Sequence, residues 1–293
     1  MNASDYLQAV IDGMLSGSVY SLIGVGFTLV FGVMRKINMS YASASLAGGY
    51  FGLAGPHLLA LPLWSVFPIS VVASGVIGYL IYLACFRFIP ASSPLATLMS
   101  TVGALLFLEE GILHATAGMP HQYPAIYEGE PVRLGQFVLR TDLLGVFFIS
   151  LLAMIIMLLL LYRTRLGMAT RAVAQQPVAA QLCGMRLQTV NGLTFVIAGV
   201  LGGVAGAMTG ASAGMLSPLI TIPLTVKGLI VTVIGGLGSI PGAIAGGLLI
   251  GGVEGFFAAM RSVSERDIYV MLLLFVFLVL RPGGLSQTAR GRD

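Results

Sequence analysis

The chain is poor in charge, cysteine, lysine and histidine, and each shortage removes a class of function. Asp, Glu, Lys and Arg make up 9% of its 293 residues, against about 25% in a soluble domain. So little charge cannot coat a water-facing surface, and the solvent for most of the chain is lipid. The two cysteines, Cys85 and Cys183, fall at a span end and in a basic loop. Both are read as facing a reducing compartment, and neither a disulfide nor a thiolate metal site is expected from them. His57, His114 and His121 are scattered, so no metal site and no histidine-based triad is visible. Neither of the two lysines, Lys36 and Lys227, ends a G-x-x-x-x-G-K-[ST] loop. The polypeptide is therefore not expected to hydrolyse ATP itself. The start, MNASDYLQAVIDG, has no basic n-region and carries Asp5 and Asp12, so no cleavable signal peptide is read there.

What is abundant is apolar surface and glycine. The chain is 57% hydrophobic with a mean hydropathy of +0.97, and 39 residues are glycine, nearly twice the usual share. Small residues let membrane helices approach closely, and the apolar runs are continuous rather than alternating, which argues against a β-barrel. An all-α, polytopic transmembrane bundle forming a single domain over 1–293 is expected. Its spans are read near 8–34, 40–56, 63–86, 94–115, 142–162, 191–213, 219–238, 240–258 and 267–281, giving eight or nine crossings. The second segment and the pair around Gly235–Gly242 are candidates for broken or re-entrant helices. Short Gly-interrupted segments at 37–52 and 233–247 occur in both halves, a pattern compatible with an inverted repeat around a transport path.

Arginine and lysine beside spans mark the cytoplasmic side. Arg35, Lys36, Arg87, Arg163, Arg165, Arg171, Arg186, Arg281, Arg290 and Arg292 account for ten of the fifteen Lys and Arg. An odd number of crossings puts all ten on one side, with the N-terminus outside and the C-terminus in the cytoplasm of an inner-membrane protein. The loop 116–141, with Glu128, Glu130, Arg133 and Arg140, is then external. The net charge of +4 does not point to nucleic acid, because the basic residues form no face interleaved with aromatics.

The loop Tyr162–Gly192 is the most informative segment. It carries Arg163, Arg165, Arg171 and Arg186 between a 20-residue uncharged run, Leu143–Tyr162, and a 36-residue one, Asn191–Val226. Its Ala- and Gln-rich centre reads as a short helix pair lying under the membrane and offered to another molecule.

Three further features admit two readings each. Gly235, Gly236, Gly238, Ser239, Pro241 and Gly242 interrupt an apolar stretch. They form either a tight turn between packed helices, the favoured reading, or a break whose backbone dipoles face a water-filled path. Asn38, Ser40 and Tyr41, within Lys36–Ser43, form either an ordinary turn or an uncharged hydrogen-bonding wall of the path. Glu109, Glu110 and Glu254 are acids inside apolar segments, where charge is costly; they are either exposed or paired carboxylates, the favoured reading, or groups facing a vestibule or the solute. Glu109 lies about 20 Å along the fourth span at 1.5 Å per residue, which places it and Glu110 in the outer leaflet, and Arg261 and Arg266 are candidate partners for Glu254. Glycines spaced by four after Gly242, and again from Gly199 to Gly214, are read as helix-packing surfaces.

Taken together, YSLIGVGFTLVFGVMRKIN (20–38), SSPLATLMSTVGALLFLE (92–109), RTRLGMATRAVAQQPVAAQLCGM (163–185), LTFVIAGVLGGVAGAMTG (193–210), VIGGLGSIPGAIAGGLLIG (233–251) and RPGGL (281–285) resemble the membrane subunits of LIV-type ABC importers of branched-chain amino acids. The resemblance covers about Gly13 to Leu285. It implies a core of two such permeases, alike or homologous, two ATP-binding subunits below, a periplasmic or surface-anchored solute-binding protein above, and no cofactor or resident metal. It also implies that Ala172–Gly184, inside the loop 163–190, is a coupling segment seated in a groove of the ATPase, contacting it through Arg171, Ala172, Ala174, Gln175, Ala179, Ala180 and Gly184. The chain departs from the family at two places. Asn38-Met39-Ser40-Tyr41-Ala42 stands where Asn-Phe-Ala-His-Gly is common, and Leu108-Glu109-Glu110 where Leu-Gln-Asn is common. Both departures fall at segments read as lying near the pathway, so an amide or urea competes with leucine, isoleucine and valine. An ion-coupled secondary transporter using Glu109, Glu110 or Glu254 leaves the coupling-like loop without a purpose, and an intramembrane enzyme lacks any catalytic constellation.

Overall fold

The computed structural model of the chain describes residues 3–59, 61–90, 93–126, 129–134, 137–260, 266–280 and 284–285. Among these, nine long helices account for nearly all of the structure. They are α1 (Ala3–Met34), α2 (Tyr41–Leu59), α3 (Val66–Ile81, prolonged by a π-helical turn at Tyr82–Phe86), α4 (Pro94–Ala115), α5 (Thr141–Arg163), α8 (Leu187–Ala213), α9 (Thr221–Gly235), α10 (Ile240–Met260) and α11 (Arg266–Leu280). Two shorter helices, α6 (Arg165–Gln175) and α7 (Pro177–Leu182), join α5 to α8. Among the described residues, seven stretches are long and apolar enough to cross a membrane: 4–34, 63–86, 94–115, 141–163, 187–213, 218–235 and 240–260. The other two long helices are marginal for different reasons. α2 is built from Ser, Ala and Gly and contains Pro56, while α11 has only 15 residues.

The nine helices alternate in direction. Lys36 Nζ, just past α1, donates to the carbonyls of Ile89 and Pro90 and to Thr97 Oγ1 at the start of α4. Tyr82 donates to the carbonyl of Gln188 at the start of α8, and Leu285 N donates to the carbonyl of Ile234 at the end of α9. These contacts define one end of the bundle. At the other, Gln8 near the start of α1 exchanges two hydrogen bonds with the backbone of Val138. There β1 (His121–Gln122) pairs antiparallel with β4 (Met215–Leu216), and β2 (Val132–Leu134) pairs with β3 (Phe137–Leu139). The start of α1 and the segment after α11 therefore lie at opposite ends, as an odd number of crossings requires.

Glycine sets the closest contacts. A Cβ on Gly17 would lie 2.7 Å from the Gly247 carbonyl oxygen, and one on Gly78 would lie 2.8 Å from that of Phe195. With side chains absent there, α1 meets α10, and α3 meets α8, backbone to backbone. Those spacings were legible in the sequence for α8 and α10. The second segment, a candidate broken helix, is instead one continuous helix. Its Gly48 and Gly52 would place a Cβ 2.8 Å from the Ser70 carbonyl and 2.6 Å from that of Val66; they admit α3 and do not interrupt α2.

Candidate functional site

The loop between α5 and α8 is a helix pair lying across one end of the bundle. The chain leaves α5 through a corner at Gly167, where any Cβ would run into the carbonyls of Leu160 and Leu161. Thr164 caps α6, its Oγ1 accepting from Gly167 N at 3.2 Å, which satisfies one of the free amides of the first turn. Pro177 opens α7, where a missing N–H costs nothing. The pair is two-faced. Gly167, Thr170, Val173 and Ala180 are buried, and Val173 and Ala180 pack with Val33, Met34, Met185, Leu187 and Val190. Arg171, Gln175, Ala179 and Gly184 are exposed, along with Met168, Val178 and Leu182, the last at 85%. Ala172 and Ala174 are half-buried. Of the seven residues expected to make an outside contact, Ala180 instead anchors the pair from beneath. Arg171 lies over the Tyr162 ring at 5.2 Å, which holds it on the exposed face. Gly184 ends α7 at φ +84° with open space around it, and Met185 N donates back to the Ala180 carbonyl at 3.1 Å. This is the left-handed C-terminal stop that glycine favours.

Arg35, Lys36, Arg87, Arg163, Arg165, Arg171 and Arg186 all belong to this end. Arg281, Arg290 and Arg292 lie outside the described residues, as does Glu128. Asp5, Glu130 and the Arg140–Asp142 pair belong to the opposite end. The segregation read from the sequence thus appears in three dimensions. Lys36 is an exception in kind: it is 8% exposed and held by neutral oxygens, and burial pushes its ammonium below the ordinary lysine range.

The candidate pathway residues fall in separate places. Asn38, Ser40 and Tyr41 are buried with internal partners: Asn38 Oδ1 accepts from Ser40 N and Oγ, and Tyr41 donates to the Ala198 carbonyl at 2.9 Å. Gly236 and Gly238, at φ +96° and +90°, make a tight turn between α9 and α10. Ser239 Oγ accepts from Gly242 N at 3.2 Å there, Gly32 lies alongside Gly238, and Gly284 lies against Gly236. Gly235 is buried against α10. Glu109 (half-buried) and Glu110 (exposed) lie toward the other end of the bundle, on α4. The structure does not bring these three groups together.

Two features were not foreseen. A cavity of about 680 Å³ opens between α2 and α4, lined by Tyr50, Phe51, Leu53, Phe107, Ile112 and His121 among others. It shares Leu53 and His121 with a second cavity of about 860 Å³ bounded by Trp64, Phe67, Pro120 and Tyr123. Tyr123 closes the far side of that cavity; its hydroxyl lies 3.1 Å from Ser70 Oγ, and burial pushes its phenol up to about 12. The other feature is a buried ion pair. Lys227 Nζ lies 2.9 Å from Glu254 Oε1, and the side chains are 8% and 7% exposed. The expected partners of Glu254, Arg261 and the Arg266 side chain, lie outside the description. The correct partner was readable: Lys227 and Glu254 are the only charges from 191 to 260, and two isolated opposite charges in apolar helices are expected to find each other.

Comparison with known proteins places this arrangement. Residues 9–280 match the family described as branched-chain amino acid transport system, permease component. The high-affinity branched-chain amino acid transport system permease protein BraD of Pseudomonas aeruginosa is 30% identical over 292 residues, covering 96% of this chain and 95% of BraD. LivH of Escherichia coli K12, which carries the same description, is 28% identical over 293 residues, covering 96% and 95%. Among solved structures, PsaBC from Streptococcus pneumoniae in complex with Fab aligns with a TM-score of 0.48 at 14% identity, over 93% of this chain and 90% of that one.

Proposed function

Since the chain belongs to the family of branched-chain amino acid transport permeases, we propose that it is the membrane subunit of an ABC-type importer for branched-chain or related amino acids, driven by ATP hydrolysis on separate subunits. The observation that carries this reading is the α6–α7 pair: a two-faced helical segment anchored on α1 and α8, offering Arg171, Gln175, Ala179 and Gly184 outward at the basic end. In this reading the basic end is cytoplasmic, the N-terminus is outside, and 163–190 is the coupling segment of a single permease domain. Two ATP-binding subunits take up the exposed face of α6–α7, and a solute-binding protein delivers from the opposite end. A second permease, identical or homologous, completes the path. Exposed Glu110 supports this last point, because a carboxylate facing lipid is costly, whereas one facing a partner or water is not. Asn38, Ser40, Tyr41, Glu109, Glu110 and the Gly235–Ser239 turn remain the proposed path residues, those at the basic end acting through the packing that surrounds them.

An ion-coupled mechanism loses support from Glu254, whose charge Lys227 already balances. The test is ATP hydrolysis by the reconstituted complex across a panel of amino acids, amides and urea, with the cognate binding protein present. Stimulation by leucine, isoleucine or valine is expected. Stimulation by amides or urea alone would reassign the solute, and uptake without any ATPase would overturn the reading.

A further inference from the structure

The α1–α10 contact is periodic. Ala9, Gly13, Gly17 and Ser21 are spaced by four on α1, as are Ala243, Gly247, Gly251 and Gly255 on α10. In the observed register a Cβ on Gly13 would lie 2.9 Å from Gly255 Cα, and one on Gly17 would lie 2.9 Å from Gly251 Cα. A slide by one helical turn, about 6 Å for four residues, sets each small residue against the next and rebuilds the same close approach. Between membrane helices, packing is the main attraction, so the zipper alone does not choose between the two registers. Other polar links to α1 do not choose either. Ser21 donates to the Ile244 carbonyl and Thr232 to that of Gly24, and backbone carbonyls recur every turn.

Among the described residues, one polar contact between α1 and the α9–α10 hairpin is not periodic. α9 and α10 are joined by a short turn into a hairpin, and the Lys227–Glu254 ion pair holds them together at 2.9 Å. Tyr20 of α1 reaches this pair. Its hydroxyl donates to Glu254 Oε1 at 3.3 Å and accepts from Lys227 Nζ at 3.3 Å, and its ring lies 5.1 Å below the same ammonium. We propose that Tyr20, Lys227 and Glu254 form a register lock: the ion pair marks one level of the α9–α10 hairpin, and Tyr20 reads that level from α1. An apolar pair of similar volume would serve stability as well as a buried ion pair, and fixing register is the best-attested use of such groups. A slide by one turn carries Tyr20 about 6 Å away from the pair and leaves nothing equivalent in its place. Because Val33 and Met34, at the end of α1, pack under α6–α7, the lock also fixes the level at which that segment sits.

Disulfide trapping in the assembled transporter tests this, with Cys85 and Cys183 replaced. The Tyr6 and Phe256 rings are 5.8 Å apart, so Tyr6→Cys with Phe256→Cys reports the observed register, and Tyr6→Cys with Gly252→Cys reports the slid one that keeps small residues facing each other. With the triad intact, only the first pair is expected to cross-link, with or without ATP. Tyr20→Leu, which leaves the ion pair whole, is expected to make the second cross-link appear and to shift the ratio of slid to observed register about tenfold, the scale of one lost hydrogen bond to a charged group; Tyr20→Phe, which keeps the ring, should shift it less. Lys227→Met with Glu254→Leu should match Tyr20→Leu. If that double variant fails to accumulate, the Tyr20 variants decide alone. The wild-type pattern in Tyr20→Leu, or the second cross-link in the intact triad, would overturn the lock. The readout does not depend on the solute or on the proposed import.

Discussion

α1 and α4 are both apolar helices long enough to span a membrane, yet 78% of the most apolar window of α1 is buried inside the protein and only 22% of that of α4. Hydrophobicity does not explain the difference. The partners of α1 approach where it has no side chains: Gly13 and Gly17 meet the backbone of α10, and Gly24 meets Val231. α4 also has glycines, Gly103 and Gly111, but nothing lies within 4 Å of where their side chains would begin. Its outward residues include Met99, Leu106, Phe107 and Glu110. The same residue type thus marks a finished contact in one helix and an open face in the other. α1, α8, α9 and α10 pack into the fold of the subunit, while α4 and the outer side of α6–α7 leave open faces.

The largest break in this comparison is expected on the closed side. Lys227→Met removes the ammonium 2.9 Å from the buried Glu254 carboxylate and should cost about 3–5 kcal/mol, read as a lowered melting temperature of the purified protein; adding Glu254→Leu should recover most of it. Gly251→Leu forces a side chain into the backbone of Gly13 and Gly17 and should cost about 3 kcal/mol. The matching step on the open side, Gly103→Leu, should stay within about 0.5 kcal/mol. Equal losses for the two glycine variants would erase the distinction between the faces.

Much of this was legible in sequence because lipid forces it. Continuous apolar runs located the spans to within a few residues, and clustered arginines located the basic end. The α6–α7 pair stood out because Arg, Ala and Gln between two uncharged runs cannot span. Less legible was anything set by pairing at a distance. Gly13 and Gly17 read as ordinary residues of a first helix until α10 was seen against them. Gly48 and Gly52 suggested a broken helix because sequence does not show which face meets α3. Nor does the sequence show the partners of Asn38 and Tyr41, whose hydrogen bonds close on Ser40 and Ala198.

The smallest expected effect on stability lies on α4. Glu109→Gln with Glu110→Gln should barely move the melting temperature, since one carboxylate is half-buried and the other exposed. It should nevertheless change the ranking of solutes taken up, because an acid can select for an ammonium group. An unchanged ranking at matched membrane expression would remove both residues from the path.

The central claim is that the exposed face of α6–α7 transmits ATP hydrolysis to the helices. It is tested most directly by measuring uptake and ATP hydrolysis side by side in the reconstituted complex, for the wild type and for a variant lacking Gln175–Gly184, with Gly184→Glu as the milder probe. The account predicts that both variants enter the membrane, that uptake is lost in the deletion and falls in Gly184→Glu, and that any remaining ATP hydrolysis no longer responds to solute. Solute-stimulated hydrolysis and uptake at the wild-type rate in the deletion variant would contradict it.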